Sequence, residues 1–583
     1  MNDTMRYILA GLLIFIIIIL QPFYLEWLGY ETAPDEAREE ALIPDESDPF
    51  KEKQAEPAIH NESTTPVADL TMQGSGHEIT IVTPLYMATI SSHSGGSIKH
   101  YILRGENSGK LKYMGGYDED GNFSKDIPVS IILPDENHCR PCLAFFDNKT
   151  DEYSFFNQSF SLRNSSNYSD TLWLGPGEAA TLHYYLSGND GSVLIDKSLK
   201  VSADEFVSLH QFKINDNDLE YSNNLEIMWH GGLRPTEEKT DEDVQYGSGI
   251  ISQAKELEDV QTTNFDENIL RSVYNGHTEW AAVRTKYFIS ALLVDSPGKY
   301  AALSEENVTF GSRSHTPAYN ASIGYPYDVN KITAQLYLGP LDVDHLSATG
   351  STLDETMNWG YSLIQPISKG VLWVLKFMHN ALKLNYGLVL LLFAVLVRLI
   401  TGPLTKKSFE SSQNMQKIQP EIKALQAKYK ADPQRLNKEM MGLYKKHGVN
   451  PLGGCLPILL QMPLLWALFI VFRTTIEFRG APFVLWISDL SKPDIIFNLP
   501  FSIPIYGDGV AILPLIMGGT LLLTMRMSSA TMDKSQKPIM YFMNGFFILL
   551  FNTFPSGLNL YYTTYNILSF FQQRSIRNKI TAK

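Results

Sequence analysis

The sequence is poor in cysteine, with three in 583 residues, and poor in acidic side chains over its last third. Cys139 and Cys142 form a C-x-x-C pair, and no second pair or suitably spaced histidines follow, which argues against a zinc site. We expect either a local disulfide or two unreacted thiols there. Cys455 lies in an apolar segment, where it is expected to contribute packing.

The two parts of the chain have opposite charge. Residues 1–356 carry 24 basic and 54 acidic side chains, whereas residues 357–583 carry 24 basic and nine acidic ones. This division predicts that the two parts face different compartments. An acidic first part also argues against nucleic acid as a directly bound partner.

The apolar run Tyr386–Leu404 is about 19 residues long, roughly the length that crosses a bilayer as a helix. Its single charge is Arg398. A charged side chain within a spanning helix costs about 2.5 to 3.5 kcal/mol and usually faces the protein interior or a wet cavity. The alternative is that Arg398 extends along the helix toward water near Leu404.

Three segments precede this run. The apolar residues from about 6 to 28 have no small-residue cleavage site directly after them, which favours an uncleaved anchor over a signal peptide. The next stretch is rich in Glu, Asp and Pro and reads as a flexible acidic linker. Short alternating runs separated by Gly, Asn, Asp and Pro then predict a large antiparallel β-sandwich. No complete catalytic motif occurs in it, although its many carboxylates leave a glycosidase-type pair open.

After the apolar run, residues 405–449 carry ten Lys/Arg and four Asp/Glu. This basic excess predicts a cytoplasmic helical hairpin, so the acidic β domain lies across the membrane and both termini are cytoplasmic. The fold class is a polytopic α-helical membrane protein with six spans, five forming the core, and a large all-β periplasmic domain.

The predicted segments are an anchor at 1–30, a linker at 31–74, the β domain at 75–350, an amphipathic interfacial helix at 357–384, spanning helix 2 at 385–404, the hairpin at 405–449, spanning helix 3 at 450–476, a periplasmic loop at 477–508, spanning helix 4 at 509–527, a cytoplasmic loop at 528–537, spanning helix 5 at 538–554, spanning helix 6 at 556–573 and a basic cytoplasmic tail at 574–583. For 357–384, a helix packed on the β domain is the alternative.

The later spans contain polar side chains at membrane depth. Each one alone is typical of a hydrogen bond between helices, but together with Arg398 they predict a polar cavity. They are Gln461, Thr520, Thr524, Asn544, Asn552, Asn559, Thr563, Thr564 and Asn566.

Several motifs resemble the bacterial YidC membrane protein insertase family. Residues 449–457 read VNPLGGCLP and are followed by Gln461-Met-Pro463, similar to the family's signature. Residues 481–490 (APFVLWISDL) and 554–562 (FPSGLNLYY) are similar to two further family segments. Arg398 falls where the family has its groove arginine.

The resemblance implies a hydrophilic groove among five helices, open to the cytoplasm and to lipid, and a β domain similar to sugar-binding supersandwiches. It implies nascent membrane proteins as substrates, the Sec translocon and the lipid bilayer as partners, and contact with ribosomes or targeting factors through the hairpin. The implied groove residues are Arg398, Gln461, Thr524, Asn559, Tyr561 and Tyr562. For the two tyrosines, an interfacial aromatic belt is the alternative. Many family members have a Thr where this chain has Ala394, so a polar contact proposed there is missing.

The main hypothesis is therefore a non-enzymatic insertase and membrane chaperone of the bacterial inner membrane, acting alone or with the Sec translocon, without a cofactor or metal. A transporter or channel for an anionic solute is the alternative, although no inverted repeat or paired broken helices support it. A membrane-anchored sugar-active enzyme built on the β domain is a third hypothesis.

Overall fold

A computed structural model of the chain describes residues 77–581 apart from short internal segments. The predicted anchor at 1–30 and linker at 31–74 lie outside the described residues, as does most of the VNPLGGCLP motif. The chain divides into two compact units, a β unit ending at Met357 and a helical unit from Asn358 onward. The internal segments that are not described are 106–110, 119, 134–138, 148–151, 157, 164–168, 189, 216–223, 261–270, 312, 327–328, 431, 449–455 and 530–536.

The β unit is built from alternating apolar and polar runs, which form mostly antiparallel strands. In chain order they are β1 Glu78–Val82, β2 Tyr86–Ser91, β3 Ser97–Leu103, β4 Met114–Tyr117, β5 Phe123–Pro128, β6 Cys142–Asp147, β7 Glu152–Phe155, β8 Ser161–Leu162, β9 Thr171–Trp173, β10 Ala179–Ser187, β11 Val193–Ser202, β12 Val207–Ile214, β13 Asn224–Trp229, β14 Ser248–Gln253, β15 Glu256–Val260, β16 Ser272–Arg284, β17 Phe288–Phe310, β18 Arg313–Pro326 and β19 Lys331–Pro340. Two short helices, α1 Thr240–Tyr246 and α2 Val343–Ser347, interrupt them.

The strands form two main sheets. The larger follows the order β7-β6-β13-β18-β17-β19-β12-β11-β10-β8, and β14, β15 and β16 extend it as a branch from β17. The smaller has the order β3-β2-β1-β9, and its β1–β9 pair is parallel. It packs on the larger sheet through Tyr86, whose hydroxyl donates to the Ser202 carbonyl at 3.0 Å. This arrangement confirms the β-rich character predicted for the domain.

Cys139 and Cys142 form a disulfide in this unit. Both residues are fully buried and pack with Met228 and Ala144. Of the two states expected from the sequence, the structure therefore contains the local disulfide.

The helical unit consists mainly of seven helices among the described residues. They are α3 Gln365–Leu382, α4 Tyr386–Lys428, α5 Pro433–His447, α6 Leu456–Thr474, α7 Ile512–Ser529, α8 Lys537–Phe551 and α9 Ser556–Thr581. By length and hydropathy, one segment within the described residues, Tyr386–Ser408, suffices to cross a membrane, and three shorter apolar segments lie in α6, α7 and α8. The six-span count is therefore not established by these helices.

Helix α3 is amphipathic and lies against α6 and α4. Its buried side includes Leu372 and Leu375, whereas Trp373 is exposed. Lys376 Nζ lies 2.9 Å from Glu477 Oε1, and this pair ties α3 to the chain that follows α6.

Helix α4 continues beyond residue 404, where we had expected the spanning helix to end. It begins at an Asn385 cap, whose side-chain oxygen accepts from the Leu388 amide at 2.9 Å, and it runs unbroken to Lys428. The continuation contains mainly Lys, Gln, Glu and Ala, which favour helix. Helix α5 folds back on it through a cluster of Ile418, Ile422 and Leu443. We call residues 405–447 the basic arm.

The connection from α6 to α7, predicted as a loop at 477–508 before a helix at 509–527, contains a β-hairpin. Strand β20 is Ile495–Ile503 and β21 is Gly507–Ala511. Residues 509–511 are thus strand rather than helix, and α7 begins at Ile512 with no intervening residue. The mixture of Pro, Asn and Gly with apolar residues hid the strand pattern in the sequence.

Candidate functional site

The first element of the site is Arg398, which α4 places inside the helical unit. Its side chain is 7% exposed although the flanking Leu399 and Ile400 are each 70% exposed. The helical period thus turns Arg398 inward and its apolar neighbours outward. Outward neighbours of this kind are typical of a lipid-facing surface.

Arg398 meets one polar partner. Its Nη1 donates to the Tyr565 hydroxyl at 3.2 Å, and the guanidinium carbon lies 5.2 Å from the centre of the Tyr565 ring. Thr401 Oγ1 lies 3.3 Å from the same hydroxyl. Helix α9 therefore holds the arginine through a hydroxyl and a ring face, and no carboxylate among the described residues pairs with it.

The remaining guanidinium donors are unsatisfied. Nε and Nη2 of Arg398 are buried and have no hydrogen-bond partner among the described residues. Leaving a buried charged donor without a partner is costly, so native proteins retain such a group mainly where water, an ion or a substrate completes its bonding. The site therefore presents a positively charged guanidinium whose remaining donor atoms can bond to a hydrogen-bond acceptor of an incoming chain.

A cavity of about 60 Å³ lies beside the arginine, toward the basic arm. It has room for water, because a water molecule needs roughly 10–15 Å³ of such volume. Four polar side chains line it, and they come from three helices. They are Thr401 and Thr405 of α4, Gln461 of α6 and Tyr565 of α9, with Val397, Leu404 and Leu464 completing the wall.

Of the other residues expected in a groove, Tyr561 and Tyr562 are buried in α9. Tyr561 is fully buried, with its ring 5.8 Å from that of Phe393 on α4, and Tyr562 lies 5.9 Å from Phe551. Neither hydroxyl has a hydrogen-bond partner among the described residues. These two rings therefore pack between helices, with unused hydroxyl groups inside the unit.

Thr524 and Asn559 lie apart from the cavity wall. The Thr524 hydroxyl donates to the Leu521 carbonyl of its own helix at 2.8 Å. Asn559 Nδ2 donates to the carbonyls of Phe551 and Phe554 at 3.1 and 3.3 Å, which satisfies the end of α8. The structure thus places Gln461 in the cavity wall and Arg398 next to that wall through its bond to Tyr565, whereas Asn559 caps a helix.

Sequence reasoning missed Tyr565, Thr401 and Thr405. The spacing contains a signal for all three: Tyr565 follows Tyr561 by one helical turn, and Thr401 and Thr405 continue the Arg398 face three and seven residues further along the helix. Ala394 is buried and has no hydroxyl to offer Arg398. The Tyr565 hydroxyl, on the facing helix, accepts a hydrogen bond from Arg398 instead.

No group of three or more His, Cys, Asp or Glu side chains suited to a metal ion occurs among the described residues. The arrangement instead offers a fixed positive charge, a small cavity with four polar side chains in its wall, and apolar outer faces. Such a site can attract a negatively charged or polar chain without making or breaking bonds.

Together, a β-sandwich unit and a helical unit with a buried arginine beside a small cavity define a membrane protein that accommodates polar groups among apolar helices. The family model for the YidC periplasmic domain matches residues 144–374, and that for the 60Kd inner membrane protein matches residues 377–583. The chain is 31% identical over 515 residues to a membrane protein insertase YidC of Chloroherpeton thalassium, covering 86% of this chain and 82% of the relative.

A second relative, from Chlorobium phaeovibrioides and also called membrane protein insertase YidC, is 37% identical over 62% of each chain. A solved structure of an active YidC insertase aligns with 86% of this chain and 92% of its own, at 17% identity and a TM-score of 0.32. The chain belongs to the YidC family of membrane protein insertases, which are inner-membrane proteins.

Proposed function

We propose that this protein moves hydrophobic segments of nascent membrane proteins from the cytoplasm into the inner membrane through the cavity beside Arg398. The observation that supports this most directly is the arginine itself. It is buried, it is held by one tyrosine hydroxyl, and two of its donor atoms lack partners among the described residues. An acidic or polar flank of a substrate would complete that bonding.

The energetic reason is the cost of moving polar chain across hydrocarbon, where each unsatisfied backbone group costs several kcal/mol. A polar cavity that extends partway across shortens this barrier. The apolar part of the substrate then leaves sideways into lipid. No covalent step is needed, so we expect neither a catalytic nucleophile nor a cofactor.

We infer a six-span arrangement, in which α4, α6, α7, α8 and α9 form the core and the N-terminal apolar segment provides the sixth span. Both termini and the basic arm then face the cytoplasm, and the β unit lies in the periplasm. The charge distribution supports this orientation, since basic residues concentrate in the arm and the C-terminal tail.

The basic arm is the proposed receiving surface. In the cytoplasm its excess of Lys and Arg would attract ribosomes, targeting factors or acidic substrate segments. The protein would act alone or with the Sec translocon.

A crosslinking experiment tests the proposal. A photoreactive amino acid at Gln461, inside the cavity wall, should capture ribosome-bound nascent membrane proteins, whereas the same probe at the outward-facing Leu399 should capture them much less. Depletion of the protein should reduce insertion of the same substrates. If position 461 captures no nascent chain and depletion leaves insertion unchanged, the proposed function is wrong.

A further inference from the structure

The connection between α6 and α7 carries two exposed loop tips. In the first, the Phe483 amide donates to the Ile487 carbonyl at 2.9 Å, which leaves Leu485 at the tip with 84% of its surface exposed. The second is the turn between β20 and β21, where Ile505 is 49% exposed. Both tips therefore present a large apolar side chain outward.

The backbone at both tips makes this choice of residue costly. Leu485 has φ of 61° and Ile505 has φ of 72°, in the left-handed region that glycine and asparagine adopt readily. A β-branched residue such as isoleucine is an outlier there. If these tips faced water, glycine or asparagine would be more stable at both positions, because either residue adopts a positive φ more readily and would remove exposed apolar surface.

The hairpin extends this apolar surface. Residues 495–507 include no charged side chain. Within β20 the most exposed large side chains are Phe501 at 62% and Phe497 at 59%. Solvent-facing edge strands usually carry charges that discourage aggregation, so this hairpin is not suited to water.

Both tips are fixed firmly to the helices. Asn552, just beyond α8, donates to the carbonyls of Tyr506 and Gly509 at 2.7 and 2.6 Å and accepts from the Ala511 amide at 2.9 Å. Asp494 Oδ2 accepts from Trp486 Nε1 at 2.9 Å and from the first turn of α7 at 2.8 Å. The apolar tips therefore keep a set position relative to the start of α7.

That position corresponds to a membrane boundary. Helix α7 has 18 residues, so it is about 27 Å long, close to the roughly 30 Å of a hydrocarbon core. Its first residue, Ile512, directly follows the hairpin. If α7 crosses the bilayer, the hairpin lies at the level where headgroups meet acyl chains.

We propose that this connection is a lipid-docking element, in which Leu485, Phe501 and Ile505 enter the interfacial region of the leaflet where α7 begins. With the orientation of the proposed function, this is the extracytoplasmic leaflet, and the inference rests on α7 spanning the membrane. The occupant is bilayer lipid, since residues 495–507 carry no charge and the hairpin leads directly into the first residue of the apolar helix α7.

Collision accessibility of a spin label tests the docking. The full chain with Cys455 replaced by Ser would be labelled at L485C or F501C and placed in lipid nanodiscs, while the Cys139–Cys142 disulfide leaves no other free thiol. The matched control is W173C, because Trp173 is 70% exposed on the β unit. We expect the ratio of oxygen to water-soluble nickel collisions to be severalfold higher at 485 and 501 than at 173.

Two results would overturn the proposal. High nickel access at 485 and 501 would place the tips in water, and low access to both reagents would show that protein covers them. I505N provides a second measurement, since asparagine tolerates the same φ but lacks the apolar side chain, and it should lower oxygen access at 501. Capture of nascent chains at Gln461 would be unchanged in these variants, so failure of docking is distinguishable from failure of the proposed function.

Discussion

Replacing Arg398 with methionine should slow insertion of substrates whose translocated segment carries a carboxylate, and should leave acid-free substrates nearly unaffected. A carboxylate about 6 Å from the guanidinium gains roughly 2.8 kcal/mol at an effective dielectric constant of about 20, and about 0.7 kcal/mol if the cavity is as wet as bulk water. Since about 1.4 kcal/mol changes a rate tenfold, the expected loss lies between about threefold and a hundredfold.

The assay is insertion of a single-span protein into proteoliposomes, measured by protease protection of its translocated tail. Two substrates differing only by Asp→Asn in that tail provide the matched pair. Arg398→Lys keeps the charge and should retain more activity than Arg398→Met. Equal losses for the two variants would show instead that the fork geometry of the guanidinium is required.

Stability provides an independent readout, because Arg398 has two unsatisfied buried donors. Replacing a buried, incompletely paired charge with an apolar side chain is often neutral or stabilising. The methionine variant should therefore melt at the same or a higher temperature, and lost activity would not reflect unfolding. Unchanged insertion of the acidic substrate, or equal slowing of both substrates, would refute the electrostatic role.

Three further predictions concern single contacts. Tyr565→Phe keeps the ring but removes the hydroxyl that bonds Arg398, so it should reduce insertion of acidic substrates by less than Arg398→Met, measured in the same assay. Lys376→Met removes the ion pair with Glu477 that ties α3 to the chain after α6 and should cost about 0.5–3 kcal/mol of stability, whereas Lys376→Arg should cost less, measured by thermal melting in detergent. Burial lowers the pKa of Lys197 to about 7, so between pH 7 and 10.5 the unfolded chain binds one proton more than the folded chain and the stability of the fold rises with pH. From pH 7 to 9 this gain in stability is at most about 2.7 kcal/mol. Pulse proteolysis in urea should detect the gain in the original chain and not in Lys197→Met.

Local patterns in the sequence predicted much of the architecture. The alternating runs indicated a β unit and the apolar run indicated a long helix, because both patterns depend on residues close together in the chain, whereas the run alone left open whether Arg398 faces inward or extends toward water. Strand order was not predictable, since pairs such as β12 with β19 join segments more than a hundred residues apart.

Only part of the site was predictable, because its contacts also join residues that are far apart in the chain. The partner of Arg398 lies 167 positions away on α9, so its identity depends on how two helices face each other. Asn559 was expected in the groove because its amide lies at membrane depth, but the amide satisfies the end of α8. Composition identifies polar residues within spans but not the backbone groups that they serve.

The unbroken course of α4 has a mechanical consequence. At 1.5 Å per residue its 43 residues extend about 65 Å, and about 30 Å of this lies beyond the apolar segment ending at Ser408. A helix is stiff, so a force applied to the end of the arm acts on a long lever. Pro403 removes a backbone hydrogen bond one turn beyond Arg398, which makes it a natural flexure point. Load on the arm would then bend α4 between Thr401 and Thr405, which both line the cavity, so force on the arm and cavity geometry would be mechanically linked.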